Sequence, residues 1–352
     1  MISNTMISTG AGKDRVNFKG TSADRVDFNR SILMTGADGD EINIKNTYLD
    51  GAGSRGCEIK TGDGDDIIKA KTLVMSSGST ISGDNGDDTI TVGKSYIGSN
   101  STISGGAGND EIFIKDGTRI DGRSSILGDG DENAENGPKD IINIKGGKII
   151  TSSVISGNGN DEITINGNTI METVYVDSGN GKDKITIGGN ANIDGGDYRA
   201  GNGEDEITIT DDAKIEWLNF SRGENSDTIN INGNAKVQGG FIGAGAGAND
   251  QINISGNAEV SSAFLKLGAS SYNSGKTTDK TTLNVTGDAV IDGVTILSGE
   301  SLGKQVMNFH QNGEAKLRQI AGSNNKDVMD IAGNFTVSNK ITGNGAEMTR
   351  YI

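Results

Sequence analysis

A short alternation of apolar and polar residues returns along the chain at a near-constant interval. Ile163 and Ile165, Ile185 and Ile187, and Ile207 and Ile209 share one face, while Thr164, Thr186 and Thr208 face the other way. Period two with β-branched residues predicts a strand with one buried face. A Gly-Asn turn often follows, as at Gly167-Asn168, Gly233-Asn234 and Gly256-Asn257. A second alternation comes next, at Ala191/Ile193, Ala213/Ile215, Ala235/Val237 and Ala258/Val260. A third apolar stretch leads into a Gly-rich corner, at Val174/Val176, Leu218/Phe220 and Phe241/Ile242.

The Asp before each first alternation marks the period. Asp66, Asp88 and Asp110 are 22 residues apart, and so are Asp161, Asp183, Asp205 and Asp227. Asp140 to Asp161 is 21, and Asp227 to Asp250 is 23. Three strands and three corners in 22 residues predict one coil of an all-β, parallel β-solenoid of the β-helix or β-roll kind, with right-handed coiling. Stacking would place equivalent Ile residues in interior columns. Sixteen periods fill 352 residues, or roughly 75 Å at the spacing of paired strands. Residues 1–250 read as solenoid with Gly-x-Gly-x-Asp corners. Residues 251–352 read as its continuation with degenerate corners and a C-terminal cap. Two stretches break the period: 128–140, acidic and holding the only proline, Pro138, and 268–280, which leads past Asp279. Both read as corner loops.

Composition agrees with a thin, repetitive core. Gly is 55 of 352, Pro is 1, aromatics are 4% and hydrophobic residues 32%. Collagen is excluded, because it needs a strict Gly-X-Y period and abundant proline. Forty-eight acidic against 32 basic residues give a net charge of −16, which speaks against nucleic acid and permits cations. A single Cys, Cys57, allows no intrachain disulfide, and a single His, His310, leaves one possible base for a Ser-His-Asp catalyst. No apolar run is long enough to span a membrane. MISNTMISTG shows no cleavable signal peptide.

Chemistry concentrates at the corner. Gly105-Gly106-Ala107-Gly108-Asn109-Asp110-Glu111-Ile112-Phe113 matches the nonapeptide G-G-x-G-x-D-x-U-x throughout. Looser copies lie at Gly10/Gly12/Asp14, Gly62/Gly64/Asp66, Gly157/Gly159/Asp161, Gly179/Gly181/Asp183 and Gly201/Gly203/Asp205. In Asp84/Gly86/Asp88 and Gly36/Asp38/Asp40 an acid takes a glycine position. Asp carboxylates stacked at the strand spacing of about 4.8 Å would repel one another, and a divalent cation offsets that. The bland alternative is that each Asp only hydrogen-bonds its own turn.

On these residues the sequence resembles the RTX (hemolysin-type) calcium-binding repeats of secreted bacterial proteins. The resemblance implies Ca²⁺ between stacked corners, held by backbone carbonyls and by Asp14, Asp40, Asp66, Asp88, Asp110, Asp161, Asp183 and Asp205. The accompanying corner glycines are Gly62, Gly64, Gly86, Gly106, Gly108, Gly157, Gly159, Gly179, Gly181, Gly201 and Gly203. That family repeats every nine residues with a calcium corner on both edges. Here one motif per 22 residues implies a single column on one edge. Asp140 follows Gly137-Pro138-Lys139 and Asp227 follows Glu224-Asn225-Ser226 in place of the full glycine pair, so both are doubtful ligands, and beyond Asp250 the motif decays.

The expected function is a non-enzymatic, secreted or cell-surface bacterial module: a structural or adhesive rod that folds on extracellular Ca²⁺. Type I secretion is what the resemblance implies. Calcium ions are the expected partners, with host-surface or matrix carbohydrate or protein beside them, and neither nucleic acid nor a membrane span. One alternative is a carbohydrate-active or carbohydrate-binding β-helix, including the polysaccharide lyases and hydrolases. Another is a metal-independent solenoid that binds a partner. Trp217, Tyr198, Phe220 and Phe241 are read as third-strand core, His310 as a surface strand residue, and Cys57 as a small buried filler or a partly exposed thiol. The outward Thr column is interrupted by Glu162, Lys184 and Glu206 and lacks the flat, uncharged face that ordering ice would need.

Overall fold

The computed structural model describes residues 1–51, 56–129, 137–221, 223, 225–243, 245, 249–268, 280–298, 305–322 and 327–342. It is an all-β, parallel β-solenoid of about 14 turns with a period near 22 residues. The chain falls into two compact units, Met1–Asn180 and Gly181–Ile352. Most of both long insertions, with Asp279, lies outside the described residues.

Each coil lays down up to three strands. In the first unit the Asp110 coil comprises Glu111–Lys115, Arg119–Ile120 and Ser125–Asp129. Each strand pairs in parallel with its counterpart one coil away, and the pairing keeps like residues in line. The first strand stacks Ile90, Ile112, Ile142 and Ile163, with Val92, Ile114, Ile144 and Ile165 beside them. The second stacks Ile97, Ile120, Ile149 and Met171. The third stacks Ile103, Ile126, Val154 and Val176. All of these are at most 1% exposed. The period-two pattern therefore builds three interior columns, and burial of each such side chain contributes about 1.5–3 kcal/mol.

The second unit repeats the scheme. Ile185, Ile207, Ile229, Ile252, Leu283, Met307 and Met329 form its first-strand column. Tyr198, Phe220, Ile242 and Leu265 form a third-strand column, and the Tyr198 and Phe220 rings meet edge-on at 5.8 Å. On the outer face, Asn253 donates to Asn230 at 2.9 Å, Asn284 to Asn253 at 2.8 Å and Asn308 to Asn284 at 2.8 Å.

The turns number about 14 where an even period predicts sixteen, because several coils are long. The steps from Asp14 to Asp40 and from Asp40 to Asp66 are 26 residues each, and that from Asp110 to Asp140 is 30. Thr281 registers with Asp250. Tyr198 and Phe220 are fully buried as expected, whereas Trp217 is 62% exposed at a corner with φ +55°. Cys57 is buried, and burial raises its thiol pKa. His310 lies exposed on the strand Val306–Gln311, with its Nε2 3.0 Å from the Asp330 carboxylate.

Candidate functional site: the aspartate corner column

The motif aspartates occupy one equivalent position, just before the first strand of each coil. In the first unit, Asp40, Asp66, Asp88, Asp110, Asp140 and Asp161 are all at most 3% exposed, and Asp14 is half-buried. They are joined by a repeated contact. The backbone N–H of Asp66 donates to Asp88 Oδ1, that of Asp88 to Asp110 Oδ1, that of Asp110 to Asp140 Oδ1 and that of Asp140 to Asp161 Oδ1, each at 2.8 Å. Asp14 and Asp40 extend the series. In the second unit Asp183 donates to Asp205 and Asp205 to Asp227, both at 2.9 Å, and Asp227 to Asp250 at 3.0 Å. Each carboxylate thus closes the backbone of the coil before it. This is turn chemistry of a kind the sequence did not reveal, because the bond runs between coils and not within one.

The same ladder contains residues the motif missed. Asp140 and Asp227, set aside for want of the full glycine pair, are full members. In the second unit Thr281 N–H donates to Gln305 Oε1 at 2.8 Å, and Gln305 N–H to Asp327 Oδ1 at 3.1 Å. The signal that finds them is the apolar pair two and four residues later: Met307 and Phe309 after Gln305, Met329 and Ile331 after Asp327. The Gln305 rung also separates two properties. An uncharged amide suffices to accept the N–H.

The glycines are required by both conformation and space. Gly86 has φ +125°, and a Cβ there would collide with the Gly64 carbonyl of the preceding coil. Gly108 repeats this against Gly86. The other proposed corner glycines also take positive φ, from Gly201 at +88° to Gly159 at +156°. Where an acid replaces glycine it too takes a positive φ, Asp38 at +73° and Asp84 at +74°, in line with the tolerance of Asp for left-handed backbone. A second column lies further out. Asp87 N–H donates to Asp65 Oδ1 at 3.0 Å, Asn109 N–H to Asp87 Oδ1 at 2.8 Å and Lys139 N–H to Asn109 Oδ1 at 2.8 Å. Its bonds run in the opposite direction to those of the inner column.

At several rungs of the first unit the inner column leaves one atom unexplained. Oδ2 of Asp40, Asp88, Asp110 and Asp140 is buried with no hydrogen-bond partner. At Asp88 and Asp110 it faces Gly83 and Gly105, whose Cβ atoms, had they any, would collide with it. An ionised carboxylate so placed is costly. Burial is the main reason the carboxyls shift upward: Asp88 to about 8, Asp110 to about 7, Asp140 to about 9 and Asp161 to about 6. Asp66 shifts up for the same reason.

A proton or a hard cation relieves such a column. The donors at hand are oxygens, carboxylate and carbonyl, which suit Ca²⁺. Number is the more demanding requirement, since Ca²⁺ takes about 6–8 oxygens. Among the described residues no three His, Cys, Asp or Glu side chains converge as a metal cage. A cation would therefore draw on no more than two of these side chains and take its other ligands from carbonyls and water.

Comparison with protein-family models, with curated proteins and with solved structures returns no match. Among the described residues no helix is long and apolar enough to cross a membrane.

Proposed function

We propose that this chain is a calcium-binding, non-enzymatic repeat module of a secreted or cell-surface bacterial protein, with a structural or adhesive role. The observation that carries this reading is the run of buried, unpartnered Oδ2 atoms at Asp88, Asp110 and Asp140 in three successive coils. A ladder needs only an acceptor, as Gln305 demonstrates. A carboxylate in coil after coil goes beyond that need and supplies negative charge that a divalent cation neutralises. Bound Ca²⁺ would replace the protons on these carboxyls and couple metal binding to folding. In a calcium-poor cytoplasm the stack would be weakened, and outside the cell it would be tightened.

The test is far-UV circular dichroism of EDTA-treated protein titrated with CaCl₂, with MgCl₂ as control. A gain of β signal, or a rise in Tm, with Ca²⁺ and not with Mg²⁺ is the expected result. The same spectrum and Tm in EDTA and in saturating Ca²⁺ would overturn it and leave a solenoid that folds without metal.

A further inference from the structure

One face of the first unit runs against the charge of the rest of the chain. The first strands stack Lys19, Lys45 and Lys71 in register, and Lys115 with Lys145. Between them the position is Gly93, and Lys94, one residue on, supplies the charge. All six lysines are exposed. None of them lies within ion-pair distance of a carboxylate among the described residues. Stacked lysines about 4.8 Å apart repel one another, so the fold itself gives no reason for them. In the first four coils of the second unit the equivalent positions are uncharged: Gly188, Thr210, Asn232 and Ser255 follow Ile187, Ile209, Ile231 and Ile254.

The stripe edges an open groove of about 1370 Å³. Its floor is the outward column Asn17, Asn43, Lys69, Thr91, Phe113 and Asn143, which are in register. Lys69 and Arg15 are tied to Glu41 at 3.2 and 3.0 Å, so they frame the groove more than they charge it. Asp116 is the only acid among the described lining residues.

We propose that this groove binds a linear acidic polysaccharide laid along the stack. The lysine stripe matches a regular series of carboxylate or sulfate groups. The Asn and Thr floor offers neutral donors and acceptors suited to hydroxyls, and Phe113 presents one ring for a sugar face. Single-stranded nucleic acid shares the charge but stacks its bases on a succession of aromatics, and this floor has one. The site does not involve the corner carboxylates, and its test is independent of calcium at the corner.

The experiment is calorimetric titration of the whole chain, in the buffer where its β spectrum is fully developed, with dextran sulfate, polygalacturonate, neutral dextran and poly(dT). Exposed ion pairs are individually weak, so three lysines are removed together as Lys45→Gln, Lys71→Gln and Lys115→Gln. The control is Lys184→Gln, Lys214→Gln and Lys236→Gln. Binding of at least one acidic polysaccharide, weakened by salt and absent with dextran, is expected. The groove variant, with an unchanged circular dichroism spectrum, should lose about tenfold or more in affinity, and the control less than about twofold. Preference for dextran sulfate or for polygalacturonate tells a sulfated from a carboxylated ligand. No binding of either, an equal loss in the control, or tighter binding of poly(dT) would overturn the proposal. Should the groove variant misfold, acetylation of accessible lysines in the presence and absence of the polysaccharide decides the matter: protection must fall on the stripe and not on Lys184, Lys214 or Lys236.

Discussion

A single aspartate such as Asp88 does two separable jobs. Its Oδ1 accepts the Asp66 N–H, and its Oδ2 sits buried against Gly83. Asp88→Ala leaves a buried N–H without an acceptor and should cost about 1–3 kcal/mol. Asp88→Asn keeps an acceptor and, like the protonated carboxyl, carries no charge, so its cost in chelator should be clearly smaller. Urea unfolding midpoints of the two variants make the comparison. Equal losses would mean that the hydrogen bond is not what the residue supplies. Gly86→Ala forces both a strained φ and a collision with the Gly64 carbonyl, and should cost at least about 1–3 kcal/mol.

At the level of the strand, stability comes from in-register columns. Ile112 lies between Ile90 and Ile142, so Ile112→Ala opens a cavity shared by neighbouring coils and should cost about 2–5 kcal/mol. Asn253 links Asn230 to Asn284. Asn253→Ala removes both bonds from a partly exposed face and should cost about 0.5–1.5 kcal/mol per bond at most. Thermal unfolding of both variants should rank them in that order. The strands were legible in the sequence because alternation encodes burial directly, and Ile163/Ile165 and Ile207/Ile209 lie where it puts them. The ladder was only partly legible. Its members are defined by a bond to another coil, and the full glycine pair that advertises Asp110 or Asp205 is incomplete or absent before Asp140, Asp227, Gln305 and Asp327. Trp217 misled for a related reason: hydrophobicity alone does not show that its corner turns the ring outward. The lysine stripe was hidden because its members lie 21 to 30 residues apart and come together only by stacking.

For the whole molecule the shifted carboxyls set the response to pH. In the unfolded chain these aspartates titrate near 3.9. In the folded state Asp88, Asp110 and Asp140 hold their protons to about 8, 7 and 9. Between those limits the folded state binds more protons than the unfolded one. Stability in chelator should therefore be highest at the acidic end of that window and fall as pH rises through the folded values, by up to about 1.4 kcal/mol per pH unit for each group. Calcium competes with these protons, so the Ca²⁺-induced rise in Tm should be larger near pH 9 than near pH 5. Thermal melts at the two pH values, with EDTA or CaCl₂, check both statements. A Ca²⁺ effect independent of pH would place the cation elsewhere.

The inner ladder has a direction, and direction matters while a chain is being made. Every rung takes its acceptor from the coil that follows, as Asp66 does from Asp88 and Asp88 from Asp110. Within a unit, then, no coil is complete when its own residues have settled. It is finished by the arrival of the next. For a chain appearing from its N-terminus, the last coil formed would present its Asp amide without its carboxylate, beside the open edges of its strands, and each added coil would satisfy its predecessor. A stack interrupted between Asp88 and Asp110 would expose a growing tip primed to capture an Asp-bearing corner from another molecule.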